Sequence, residues 1–314
     1  MFIEKKFINT RKLEHFELRK GGFMRKTAIL TDSNSGITQA EAKELGVYVM
    51  PMPFFINDKL YFEEVDLGMD EFYDKLKSTD IKITTSMPAV GDLIDKWDEL
   101  LEEYEDIVYI PMSSGLSSSC SAATALIDEY DGRVQVINNR RISVTQRLSC
   151  IEALRMAEQG KNAVEIREFL EATASDSSIY ITVGTLEYLK RGGRLTSAVA
   201  TIGTFLKVKP VLQIQGDKLD TYSMARTMKQ AENKMLDAIE HDMKNRFNDS
   251  DYNNFIISIA HTQELKEAEK FREDVIRRFP NRDVLISPLP LSISCHIGPG
   301  SLAVTTSVKH DIMK

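Results

Sequence analysis

The chain has 314 residues and a formal net charge of −7; 42% of its residues are apolar and 28% charged. That length accommodates two domains with separate cores, and the acidic balance argues against nucleic acid as the main partner. The three cysteines, Cys120, Cys150 and Cys295, are odd in number and far apart, which argues against a disulfide framework or a zinc knuckle and fits a reducing cytoplasm.

Residues 1–23 stand apart. They carry six Lys/Arg against three Glu, so the remainder carries −10. They are polar and aromatic without a clean period and lack the continuous apolar core of a signal peptide. The expectation is an N-terminal extension, either an upstream translation or a loose arm, ahead of Met24. Thr27–Thr31 then reads as a first strand ending in Asp32-Ser33-Asn34-Ser35-Gly36.

Thr38-Gln39-Ala40-Glu41 is a capping box for a helix to about Leu45. Val47–Phe55 is apolar but broken by Pro51 and Pro53, which predicts an edge or irregular strand. Met69–Lys77 reads as a helix, and Pro88 as the first turn of another running to about Tyr104. Ile107–Met112 is a strand, Ser117–Tyr130 a helix, Val134–Ile137 a strand, and Ser143–Gln159 and Ala163–Ala174 helices. Alternating strands and helices imply βαβ units and a largely parallel sheet.

The second unit is predicted to hold a strand at Ile179–Val183, a short helix at Leu186–Lys190 stopped by Gly192-Gly193, and a helix at Ser197–Phe205. A hairpin of Val211–Gln215 and Leu219–Ser223 turns at Gly216-Asp217. A long helix (Thr227–Phe247), a strand (Phe255–Ala260), a helix (Gln263–Arg278) and a strand (Val284–Ser287) follow. Val284–Val308 is uncharged, yet Pro288, Pro290, Pro299, Gly298 and Gly300 rule out a lipid-exposed spanning helix. The fold class is therefore α/β with two domains, 24–174 built on a parallel sheet and 175–314 on a mixed sheet.

Three segments place polar side chains at bends. His296 sits in Cys295-His296-Ile297-Gly298-Pro299-Gly300, where a tight turn gathers backbone N–H groups. Thr84-Thr85-Ser86-Met87-Pro88 and Ser113-Ser114-Gly115-Leu116-Ser117 supply hydroxyls. Together they form a hydrogen-bonding cup with one titratable group, suited to a carboxylate. Each has a plainer role: Ser86 or Ser117 as a helix cap, His296 as a structural histidine. His261 is expected to be structural.

These motifs, with Thr31-Asp32-Ser33, Leu189-Lys190-Arg191-Gly192-Gly193-Arg194, Lys209-Pro210 and Arg226, resemble the DegV family of bacterial fatty-acid-binding proteins from about Thr27 to Val308. The resemblance implies two α/β domains enclosing one long-chain fatty acid in a tunnel between them. It also implies the FakB-type binding subunit of a fatty acid kinase, which presents the carboxylate to a separate ATP-using subunit. Acyl phosphate forms there and feeds phospholipid synthesis. On this reading the protein is cytoplasmic, is not itself an enzyme and needs no cofactor or metal. Met87, Ala89, Ser118, Ser119 and Ala303 depart from the family pattern.

Carried onto this sequence, the resemblance makes Thr85, Ser114 and His296 the carboxylate contacts, with Ser113 second and Arg226 at the pocket mouth. Arg191 and Arg194 become a docking surface for the kinase subunit. The apolar runs offer Phe54, Phe55, Ile202, Phe205, Leu206, Leu289 and Leu291 for the tunnel, with ordinary core as the competing role. Burying about fifteen methylenes is worth up to roughly 10 kcal/mol at about 0.8 kcal/mol each, so the cup would orient the head more than supply affinity. Two other functions compete: a Ser114/His296 acyl transferase or hydrolase, without a Gly-x-Ser-x-Gly elbow, and a phosphate or nucleotide binder, without a Walker A or dinucleotide fingerprint.

Overall fold

The computed structural model describes residues 25–78, 80–194, 208–249 and 251–313. The N-terminal extension, the helix expected at Ser197–Phe205, and with it Ile202, Phe205 and Leu206, lie outside the described residues. In chain order, strand β1 (Arg25–Asp32) and helix α1 (Gln39–Leu45) precede β2 (Tyr48–Met50), β3 (Pro53–Ile56) and β4 (Lys59–Phe62). Then come α2 (Met69–Lys77), β5 (Ile83–Thr85), α3 (Val90–Leu101), β6 (Tyr104–Ile110), α4 (Ser119–Thr124), β7 (Val134–Val136), α5 (Val144–Glu158) and α6 (Ala163–Ala172).

The rest comprises β8 (Ser177–Thr182), α7 (Glu187–Arg191), β9 (Lys209–Ile214), β10 (Leu219–Ala225), α8 (Met228–Asn245), β11 (Phe255–His261), α9 (Leu265–Arg278), β12 (Val284–Pro288), α10 (Leu291–Ile297) and β13 (Leu302–Val308). No helix among the described residues is long and apolar enough to cross a membrane.

Strands β2-β1-β6-β7, in that order, form a parallel sheet. Both of its faces are covered, which is why its strands read as apolar runs without alternation. Ile29, Val108 and Ile110 pack with Cys150, Ala153 and Ile166 of α5 and α6. Ala28, Leu30, Ile107 and Tyr109 pack on the other face with Leu93, Trp97 and Leu100 of α3. The second sheet is mixed, in the order β10-β9-β8-β13-β11-β12; its β11–β12 pair is parallel and its other pairs are antiparallel. Its outer face is closed by α8 and α9 through Met235, Ile239, Phe271 and Val275.

A third sheet, β4-β3-β5, is antiparallel and small. It has a core of its own: Phe54, Phe72, Tyr73 and Leu76 close against Leu291 and Cys295 of α10. The anticipated division near Ser175 falls between α6 and β8, but this sheet reaches across it.

Several boundaries differ from expectation. Val47–Phe55 divides at its prolines into the edge strand β2 and the separate β3, where Pro53 takes the first position. Helix α3 starts at Val90, with Ala89 as N-cap and Pro88 before it. The stretch to Tyr130 breaks into α4 and a 3₁₀ turn at Ile127–Tyr130. Two elements, β13 and α10, fall in the Pro- and Gly-rich stretch for which the sequence predicts no element. Strand β13 lies between β8 and β11 in the sheet interior, yet its sequence is Leu-Ala-Val-Thr-Thr-Ser-Val.

Candidate functional site

A cavity of about 420 Å³ lies between the parallel and mixed sheets, within the range of roughly 300–1,000 Å³ typical of small-molecule sites. Its floor is one face of the mixed sheet. Residues two apart along a strand share a face, so Ile181, Ala303 and Ala260 make one cross-strand row and Ile214, Ile179 and Thr305 the next. Leu289, Ile293, Met52, Met112 and Ile142 complete its apolar lining.

The polar end is assembled from three elements. Thr85 ends β5, where it pairs with Phe54. His296 is in the last turn of α10, not in a turn of irregular backbone as expected. The Thr85 hydroxyl and His296 Nε2 are 2.8 Å apart. Burial pushes the imidazole down to about 4; the Arg194 charge adds to this and the Gly192 backbone opposes it. The ring is therefore neutral at ordinary pH. Its Nδ1 is buried without a hydrogen-bond partner among the described residues. The direction of that bond follows the tautomer: with the proton on Nε2, His296 donates to Thr85 and leaves the Thr85 O–H for an acceptor in the cavity, whereas with the proton on Nδ1, Thr85 donates to Nε2.

Ser113 and Ser114 are not on the wall, contrary to the expected direct contacts. Ser113 is buried in its own turn, where its hydroxyl accepts from the Gly115 N–H at 3.3 Å and its carbonyl accepts from Leu116 and Ser117. The next residues of that loop, Leu116, Ser117 and Ser118, face the cavity instead. Ser117 Oγ is 2.9 Å from Ser119 Oγ and accepts from the Ser119 N–H. Neither Ser86 nor Ser118 makes a capping side-chain bond; both stand exposed at the mouth.

Arg194 also moves relative to expectation. It is exposed but lines the cavity, which puts its guanidinium at the mouth beside His296. Arg191 points elsewhere, 4.8 Å over the Tyr188 ring. Arg226 is exposed, donates its backbone N–H to Gln230 and is not on the wall. Of the described tunnel candidates, Leu289 lines the cavity. Phe54 and Leu291 belong to the core of the small sheet, and Phe55 is not on the wall.

The glycine motifs have packing reasons. A Cβ on Gly192 would lie 2.3 Å from His296 Nδ1, and one on Gly298 2.1 Å from the Tyr188 ring. One on Gly115 would lie 2.0 Å from the Asp217 carbonyl oxygen at the tip of the β9–β10 hairpin. These glycines bring elements together around the cavity and are not phosphate cradles.

Sequence reasoning missed a buried polar chain behind one wall. Asp32 is fully buried and accepts from the Met112 N–H, the Asn34 N–H and side-chain amide, and Gln146. Burial raises its carboxyl despite these bonds. Asn34 Oδ1 accepts from Ser292 at 2.7 Å, and Ser292 in turn adjoins the buried Glu63. Asn34 and Ser292 both line the cavity. The Thr31-Asp32-Ser33 motif gave a signal, but a partner more than two hundred residues away did not.

An apolar cavity between a parallel and a mixed sheet, with hydroxyl, imidazole and guanidinium groups gathered at one end, defines a binding protein for an elongated amphipathic molecule. Comparison with known proteins agrees: the DegV family model matches residues 26–309, and the chain belongs to the DegV family. Protein DegV of Bacillus subtilis is 28% identical over 281 residues, covering 88% of this chain and 97% of that protein. A DegV domain-containing protein of Halalkalibacterium halodurans is 29% identical, covering 90% and 98%. Among solved structures, DegV of B. subtilis, a fatty acid binding protein, superposes with a TM-score of 0.81 at 27% identity, over 91% of this chain and 100% of that one. A DegV family protein of Thermus thermophilus, also described by its fatty acid binding, gives 0.80 at 26%, over 90% and 99%.

Proposed function

We propose that this protein binds one long-chain fatty acid and presents its carboxylate to a separate ATP-using kinase subunit. The observation that carries the reading is the polarity of the cavity. Apolar side chains of the sheet floor share the lining with buried Asn34 and Ser292 and with the less buried Thr85, His296, Ser117 and Arg194. A carboxylate accepts only, and the Thr85 O–H, a Ser117 O–H and the Arg194 guanidinium all donate. The ligand identity is supported by the fatty acid binding of related DegV structures at 25% identity or more.

The head is thus held by neutral hydrogen bonds plus one exposed cation, while tail burial supplies most of the affinity. An exposed head end is what transfer to a second protein requires. Exposed Arg191, next to Arg194, is suited to meeting an acidic partner surface. Acyl phosphate made by that partner would supply phospholipid synthesis, in the cytoplasm. A hydrolase reading with Ser114 as nucleophile and His296 as base fits less well: Ser114 is not on the cavity wall, and an imidazole near 4 is a weak general base.

The test is oleate titration of wild type and of Thr85→Ala/Ser117→Ala. The double variant should bind about 30-fold more weakly, at roughly 1 kcal/mol for each of the two neutral bonds lost, and should lose acyl phosphate formation with the ATP-using kinase subunit. Unchanged affinity and unchanged turnover would remove these residues from the head site.

A further inference from the structure

The head clasp is divided between two elements. Thr85 belongs to the small sheet β4-β3-β5, and His296 to α10, which packs on that sheet. Among the described residues, polar contacts tie α10 to the small sheet and to α2 behind it: Thr85 with His296, the Tyr73 hydroxyl of α2 with Ser294 at 2.8 Å, and Glu63, just after β4, with the start of α10. Glu63 is 3% exposed. Its carboxylate accepts from the Leu291 N–H and from Ser33 at 2.5 Å; the Ser292 hydroxyl lies 3.3 Å away, with its one proton directed to Asn34 at 2.7 Å. Ser33 in turn accepts from the Met52 N–H on the cavity wall.

Both donors to Glu63 are neutral. Among the described residues, the charge that acts on it is that of Glu64, of like sign. A buried carboxylate without a cation is costly, and hydrogen bonds offset only part of the cost. Separating α10 from the small sheet would return Glu63 to water and would part Thr85 from His296 in the same movement.

We infer that the site opens along the seam between α10 and the small sheet, and that Glu63 is the positioning residue there: it fixes α10, and its uncompensated charge favours opening. The ligand half of the test rests on the fatty-acid reading; the backbone half does not. Burial pushes the Glu63 carboxyl up to about 7. A group that binds its proton more tightly when closed than when open favours the open form as pH rises. The other groups facing the seam are Glu64, Tyr73 of α2, Cys295 of α10 and, from α7, Arg191, whose charge reaches Cys295 and is the same at both pH values; burial raises the Tyr73 hydroxyl to about 12 and the Cys295 thiol further, so both stay neutral. Asp32 lies behind Asn34, and His296 stays neutral at these pH values.

The experiment measures transfer of bound oleate to albumin, and amide protection factors across Leu291–Ile297, at pH 6 and pH 8. Wild type should release oleate about 10-fold faster at pH 8, with α10 protection falling in parallel. Glu63→Gln should release slowly at both values. Ser33→Ala, which removes a donor to the charged form, should release faster than wild type at pH 8 and equally at pH 6. A Glu63→Gln profile that follows wild type would assign the pH dependence to the fatty acid and overturn the inference. If Glu63→Gln does not fold, Ser33→Ala matching wild type at pH 8 overturns it. If wild type binds no oleate, the fatty-acid reading fails; α10 protection unchanged between the two pH values would then overturn the seam as well.

Discussion

Gly192 is a glycine because His296 occupies the space a side chain would need. An alanine there would press on Nδ1 from 2.3 Å, whereas Gly193 has nothing within 4 Å of its missing Cβ but a φ of +67°. Gly192→Ala should displace the imidazole from Thr85 and weaken oleate binding about 10-fold. Gly193→Ala should leave affinity alone and cost roughly 1 kcal/mol of stability through its left-handed backbone. Oleate titration and thermal melting of both variants check this; equal affinities would show that His296 does not hold the head. At this scale the sequence was partly legible. Thr85 and His296 stood out as polar groups in turn-rich motifs, and they meet. Ser114 reads as the contact and Ser117 as the cap, yet Ser117 is the one on the wall, because which hydroxyl of a turn faces a cavity is decided by the turn's own hydrogen bonds, here those closing on Ser113. Arg194 reads as part of a docking surface because nothing local says that a cavity opens beside it.

The elements that were legible are those whose signals are local. Helix α2 shows Phe72, Tyr73 and Leu76 buried on one face, with acidic residues in its first turn and lysines in its last. Helix α1 and helix α6 both begin with a complete capping box. The illegible elements are those whose form depends on distant chain. Strand β13 carries Thr305, Thr306 and Ser307, all buried, and looks polar until β8 and β11 are placed on either side of it. Helix α10 follows Pro288 and Pro290, and its first N–H is satisfied by Glu63 across the small sheet, so no capping side chain marks its start. Likewise the β9–β10 turn at Gly216-Asp217 was readable as a hairpin, but its contact with Gly115 was not.

At the scale of the molecule, the two halves are also tied together away from the cavity. His310, after β13, lies between Glu152 of α5 at 2.6 Å and Asp176 at 3.1 Å. Glu152 also meets the buried Arg141 at 3.3 Å. Burial opposes a charged imidazole, but the hydrogen bonds and charges of Glu152 and Asp176 together outweigh it and raise the His310 pKa above 6.5. A raised folded-state value means that the contribution to stability is fully present below pH 6.5 and is lost as pH climbs through the folded value. The melting-temperature gap between wild type and His310→Gln should therefore be largest near pH 6 and shrink by pH 9. A gap that stays constant would mean that His310 serves only through its packing on Phe169. The proposed function itself is tested most directly by native mass spectrometry of the protein purified mildly from its own cells. One long-chain carboxylic acid per chain is the expected adduct. An empty cavity across preparations that also fail to take up added oleate, or a bound nucleotide in place of the acid, would contradict it.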